Sequence, residues 1–170
     1  MQNLLYYTEI LKHLERQGWK QKNIPKVETV ASHSWQMAML ALFLLNHTNE
    51  QYDFNKIIQL CLIHDLAESI IGDITPKEKS YKNKKIIEQE AMQKISTDTN
   101  FPLLYELFME YEEKQTKEAK LANDLDQIDM YMQSLAYEKK YSNQDLEEFR
   151  TSAKTRLITT LAKNIIENIK

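Results

Sequence analysis

Ile63-His64-Asp65-Leu66-Ala67-Glu68, followed by Gly72-Asp73-Ile74-Thr75-Pro76, is the stretch from which the rest of the chain is read. Apolar residues predominate from Ile57 to Ile63, so an apolar segment delivers the ionisable groups His64, Asp65 and Glu68. On a helix, His64 and Asp65 project about 100° apart, and Glu68 rises over the same face. An isolated buried charge costs several kcal/mol unless it is paired or bound to a metal. The pattern therefore predicts part of a divalent-metal site, with its remaining ligands elsewhere in the chain.

The whole chain limits what that site can belong to. Its 170 residues suit one domain spanning 1–170 around a single core. With 42% hydrophobic and 28% charged residues it has an ordinary globular composition. Two glycines and three prolines are too few for a sandwich of tight turns, and the Leu/Ile/Lys/Glu-rich stretches predict an all-α fold. A net charge of -3 provides no general attraction to nucleic acid or to an anionic membrane. The single cysteine, Cys61, excludes an intrachain disulfide framework and reads as a small buried hydrophobe. Met1–Ile10 lacks the pattern of a secretory signal, and the apolar run Met37–Leu45 is far shorter than the roughly 20 residues that cross a bilayer. The expected setting is the cytoplasm.

In chain order, a compact bundle of six to seven helices is expected. The first runs from about Asn3 to Gln17, with Gly18 as its stop signal, and a long loop follows from Trp19 to Val30. Ser32 is placed as the cap of a second helix, whose body Trp35–Leu45 is apolar nearly all round and so reads as the central buried helix. Asp53 caps a third helix that carries the opening motif and stops near Gly72. Lys77–Lys85 contains five lysines, a solvated run or a rim for an anionic substrate. Further helices are expected over about Lys84–Ser96, Pro102–Lys114 and Thr116–Tyr141, and a last one is capped by Ser142 or Asn143.

More nitrogen or oxygen ligands are needed to complete a metal site. His13 lies on a polar stretch and His47 at a helix C-terminus, so both read as surface residues. His33 stands where a long loop meets the most apolar helix, and pattern alone leaves it as either a ligand or a satisfied core histidine. The acidic candidates are Asp124, Asp126 and Asp129. The stripe Leu121, Leu125, Ile128, Met132 and Leu135 puts Asp124 at its edge and Asp126 about 100° from Leu125. Periodicity thus favours Asp124, and a fully solvated reading of all three stays open.

His33, then His64-Asp65, then an aspartate in a Leu-Asp-Gln context resembles the HD-domain metal-dependent phosphohydrolases. Gly18-Trp19, Glu28-Thr29-Val30-Ala31-Ser32-His33-Ser34-Trp35, His64-Asp65-Leu66-Ala67-Glu68 and Gly72-Asp73-Ile74-Thr75-Pro76 resemble the 5′-deoxynucleotidase branch, in family order, from about Trp19 to Tyr137. The resemblance implies an all-helical HD domain holding one divalent metal ion (Mn, Co, Mg, Fe or Zn) through His33, His64, Asp65 and Asp126. It decides for Asp126 over Asp124. It implies that Glu68 is the catalytic carboxylate, that Asp73 contacts the sugar, that Trp19 lies in the substrate pocket, and that Arg16 and Lys22 bind phosphate. A homodimer is also implied. Two departures stand out: Ser32 where relatives carry an acidic residue that orients the first histidine, and Lys22 where they often carry arginine.

The implied reaction is removal of the 5′-phosphate from a (deoxy)nucleoside monophosphate. The competing readings are another HD-domain phosphohydrolase, acting on nucleoside triphosphates, cyclic nucleotides or other phosphate esters, and a non-catalytic helical module. Nucleic-acid binding has little support, because the basic run is short and carries no interleaved aromatic beyond Tyr81.

Overall fold

The computed structural model describes residues 1–76, 78, 83–141 and 144–169. Among them are ten α-helical segments and no strand: α1 Gln2–His13, α2 Gln17–Lys20, α3 Val30–Leu45, α4 Phe54–Ile63, α5 Glu68–Ile71, α6 Lys84–Thr99, α7 Leu103–Glu113, α8 Lys117–Lys140, α9 Glu147–Arg156 and α10 Thr160–Asn168. The all-α expectation holds, but the helix count exceeds six to seven because the chain bends where long helices were expected. The expected third helix divides into α4 and α5, the last divides into α9 and α10, and the Trp19–Val30 loop begins within α2. Ser142, Asn143 and the lysines at 77, 79 and 82 lie outside the described residues, so the cap and most of the basic run fall there too.

Local chemistry sets most of the boundaries. Asp53 accepts the Lys56 amide at 3.0 Å to start α4, and Thr116 caps α8 through the Ala119 amide at 3.1 Å. α3 starts earlier than expected: Thr29, not Ser32, is its N-cap, and Ser32 closes the reciprocal capping box. α6 runs on to Thr99 and ends at left-handed Asn100. Gly18 does not stop the first helix, which leaves α geometry at Leu14. There Arg16 N donates to Glu28 O at 3.1 Å and Val30 N to Leu14 O at 2.9 Å, a short extended bridge that closes the loop. Gly18 instead allows close packing, since a Cβ there would lie 3.3 Å from the Phe149 ring.

The central helix is α8, not α3. The outer face of α3 leaves Trp35 63% and Phe43 60% exposed, with Met39 and Leu42 beside them. Its inner face, Val30, His33, Ser34, Met37 and Ala41, is the buried one. α8 is buried on most of its circumference, including the polar Asn123, Asp124, Gln127, Asp129 and Ser134. The main core lies between α1, α3, α4, α6, α7 and the N-terminal half of α8, with Leu60, Cys61, Met92, Phe108 and Leu121 at its centre. The C-terminal half of α8 packs on α9 and α10 through Ile128, Tyr131, Ala153, Leu157 and Ile166.

Asp124 holds that second layer in place. Fully buried, it accepts the Ile158 and Thr159 amides, each at 2.7 Å, and so fixes the chain at the entry to α10. Asp124→Ala is expected to cost about 2 kcal/mol of stability or more, because it leaves buried N–H groups unpaired. Urea denaturation measures this, and a loss below about 0.5 kcal/mol, the ordinary surface range, would deny Asp124 this role.

Candidate metal centre and cleft

α3 brings His33 into the core within its first turn, fully buried. Its Nδ1 lies 2.6 Å from Asp129 Oδ2, itself fully buried on α8. That bond orients the ring and leaves Nε2 facing the other way. His64, at the end of α4, is fixed similarly. Its Nδ1 lies 2.9 Å from Cys61 O, and because a carbonyl only accepts, Nδ1 donates there and Nε2 faces the other way.

Past Ile63 the chain tightens. Leu66 N bonds to Ile63 O at 2.9 Å, Glu68 N to Asp65 O at 3.0 Å and Ser69 N to Leu66 O at 3.2 Å, all i to i+3. Such a turn eclipses side chains three residues apart. It therefore stacks Glu68 over Asp65 instead of fanning the motif around an α-helix. The Gly72 φ of 77° then ends α5 in a left-handed conformation that a side chain would strain, and Asp73 follows it into the cleft.

These elements converge. His33, His64 and Asp126 present ligand atoms that all lie within 4.8 Å of one another. Asp126 Oδ1 is 3.2 Å from His33 Nε2. Asp65 Oδ2 is 3.1 Å from His64 Nε2 and 3.9 Å from His33 Nε2, and it also accepts Arg16 Nη1 at 3.1 Å. Both Nε2 atoms are buried without a hydrogen-bond partner. Burial and the nearby Arg16 charge disfavour a charged His33, yet Asp126 and Asp129 outweigh them and push its pKa up to about 10. Burial likewise opposes ionisation of Asp126, but His33 prevails and pulls that carboxyl down to about 2. Three carboxylates, Asp65, Asp126 and Asp129, thus crowd two imidazoles. Two orphaned imidazole nitrogens facing two carboxylates fit a divalent cation that takes mixed nitrogen and oxygen donors.

Glu68 is buried beside this centre, with Oε1 3.7 Å from Lys84 Nζ and Oε2 without a partner. Burial, followed by the charges of Asp65 and Asp73, raises its pKa well above the usual carboxylate range. Asp73 Oδ2 accepts the Gln17 amide at 2.6 Å, tying its loop to α2. Trp19 donates Nε1 to Glu28 Oε1 at 2.7 Å and packs on Phe149 with ring centroids 4.2 Å apart. Arg16, Trp19, Asp65, Glu68, Asp73 and Asp126 all line one cleft compartment of ≈ 200 Å³.

Lys22 is absent from that lining, because α9 offers it a carboxylate: its Nζ pairs with Glu148 at 3.0 Å. Ser32 is occupied in the α3 cap, and Asp129 orients His33 in its place. His13 is exposed beside Glu9, and His47 Nδ1 reaches Phe43 O at 2.7 Å. A second compartment, ≈ 480 Å³, adjoins the first and shares Asp65, Lys84, Asp126, Gln127 and Arg156 with it. The sequence placed Asp129 only among the acidic candidates and Lys84 only within a basic run; Phe149 and Arg156 it did not single out. The last two lie beyond the family motifs, and only their position on one face of an α9-length helix pointed inward.

The HD-domain family profile matches residues 8–169. The chain is 36% identical to 5′-deoxynucleotidase hdd1 of Schizosaccharomyces pombe, over 85% of this chain and 76% of that protein. It is 34% identical to 5′-deoxynucleotidase HDDC2 of Dictyostelium discoideum, over 82% of this chain and 80% of that one. Among solved structures, a conserved hypothetical protein from Pyrococcus furiosus superposes with a TM-score of 0.86 at 32% identity, covering 98% of this chain and 97% of its own.

If His33 meets a cation through Nε2, removing its orienting partner will loosen that contact. Asp129→Ala is expected to weaken Mn²⁺ binding by about 10- to 100-fold, measured by calorimetric titration. An unchanged affinity in a folded variant would remove His33 from the ligand set.

Proposed function

The chain belongs to the HD-domain family, and we propose that it is a phosphohydrolase that removes the 5′-phosphate from (deoxy)nucleoside monophosphates, giving nucleoside and orthophosphate. One observation carries this reading: two buried imidazoles with unpartnered Nε2 atoms meet Asp65 and Asp126 at the floor of a cleft that also holds Glu68. Relatives named 5′-deoxynucleotidase, similar over most of the chain, support the substrate class.

His33, His64, Asp65 and Asp126 would hold one divalent ion, and their mixed donors admit Mn²⁺, Co²⁺, Mg²⁺, Fe²⁺ and Zn²⁺. Such an ion supplies charge neutralisation at the phosphoryl group and makes water more acidic. Arg16 backs Asp65 and balances the acidic floor. Glu68 keeps its proton to higher pH than an ordinary carboxyl, which suits protonation of the leaving 5′-oxygen from Oε2. Asp73, with Oδ2 committed to Gln17, has its other oxygen for the sugar 3′-hydroxyl. Trp19 and Phe149 give the base an apolar wall.

The second compartment favours one alternative, an HD phosphohydrolase with a longer phosphate chain in its substrate, because Lys84, Lys85 and Lys114 line it. Product analysis separates the two, since only the proposed reaction gives nucleoside and orthophosphate from a monophosphate. No described helix is long and apolar enough to cross a membrane. The reading extends to a cytoplasmic homodimer, for which the exposed α3 face offers an uncharged surface. Light scattering that finds only monomer at micromolar concentration would remove the dimer.

With dAMP or dUMP as substrate, Glu68→Gln is expected to lower kcat by about 10²- to 10⁴-fold while retaining metal. His64→Ala should lose both metal and turnover. Full turnover in either variant, or a wild-type protein that releases no phosphate from any monophosphate with any of these ions, would sink the proposal. Asp73→Ala should erode the preference for deoxyribose, measured by comparing dAMP with AMP.

A further inference from the structure

We infer that Arg156 is a substrate-binding residue that anchors the phosphate group, delivered to the cleft by α9; as a statement about substrate it rests on the reaction proposed above. Beyond the ion that the floor would hold, an incoming phosphate is best bound by a cation of the cleft wall that is not already committed to a carboxylate. Arg16 is committed, donating to Asp65 and surrounded by Asp126, Asp73 and Glu28. Lys22 is paired with Glu148. Lys84 stands between Glu68 at 3.7 Å and Glu88 at 3.4 Å. Arg156 differs: among the described residues its guanidinium has no carboxylate within ion-pair distance. It also lines both compartments, on the edge that they share with Asp65 and Asp126.

Its backbone is fixed against the same turn of α8 that carries Asp126. Asn123 Nδ2 reaches Arg156 O at 3.4 Å, and Asp124 clamps the Ile158 and Thr159 amides at 2.7 Å each. Ala153 and Leu157, on either side of it, are buried against α8. Arg156 therefore sits at the end of a helix whose position is set relative to the candidate metal centre, while the side chain itself stays exposed at the mouth. A guanidinium offers a planar fork of donors that matches two phosphate oxygens at once, which a lysine in the same place does not. The signal was hidden in the sequence because Arg156 lies outside every family motif and its neighbours read as a solvated helix.

The test is calorimetric titration of inorganic phosphate into metal-loaded wild type, Arg156→Ala and Arg156→Lys, together with KM for dAMP. Lys154→Ala is the control for net charge, since that lysine lies on the same helix over the Tyr131 ring. Arg156→Ala is expected to weaken phosphate binding by about 10- to 100-fold, with metal content and thermal midpoint retained and KM raised in parallel. Arg156→Lys should fall between it and wild type. If Arg156→Ala lowers the midpoint, Arg156→Gln, which keeps the stem, decides in its place. Unchanged phosphate affinity, or an equal loss in Lys154→Ala, overturns the assignment. A wild type that turns over no monophosphate overturns the functional reading alone, and the phosphate titration still decides Arg156.

Discussion

The buried 2.6 Å contact between His33 Nδ1 and Asp129 Oδ2 is the constraint on which the site depends. It ties the first turn of α3 to the middle of α8, two helices whose sequences are far apart. It also determines which nitrogen of His33 is left to face Asp126. His64 obeys the same rule through the Cys61 carbonyl. In both cases one ring nitrogen is satisfied by the scaffold so that the other can stay unsatisfied at the centre. A buried nitrogen without a partner is costly in an inert core, and here two of them face each other's carboxylates.

The tightened turn after Ile63 performs a second division of labour. In an α-helix, Asp65 and Glu68 would be neighbours offset around the axis; in the i to i+3 turn they stand in register. Burial, and then the nearby Asp65 charge, act on Glu68, while different neighbours act on Asp65. Asp65, beside His64 and Arg16, is held ionised against its burial, while Glu68 is pushed toward keeping its proton. Three residues apart, the two carboxyls thus differ in charge state because their neighbours differ.

Much of this was legible in the chain, for identifiable reasons. Ionisable residues embedded in an apolar run betray a site, and caps such as Asp53 and Thr116 announce helix starts. Apolarity misled where it was equated with depth: α3 is apolar all round yet shows Trp35 and Phe43 to solvent, whereas polar-looking α8 lies at the centre because its buried polar groups find partners. Periodicity placed Asp124 at the core edge, and Asp124 is indeed fully buried, but it serves backbone amides while Asp126 faces His33. Pattern left His33 open between ligand and satisfied core histidine because the two nitrogens differ: Nδ1 meets Asp129, while Nε2 stays without a hydrogen-bond partner. The surroundings of Lys22 and Arg156 were illegible because only tertiary packing decides which cation meets a carboxylate and which lines a cleft.

The Asp124 clamp also makes the cleft depend on residues that never enter it. Asp124 grips the Ile158 and Thr159 amides just past α9, and α9 supplies Phe149 and Arg156 to the cleft wall. The far side of the cleft is thus held by a carboxylate only two residues before Asp126 on α8. A change at one turn of α8 therefore moves the floor and the wall together.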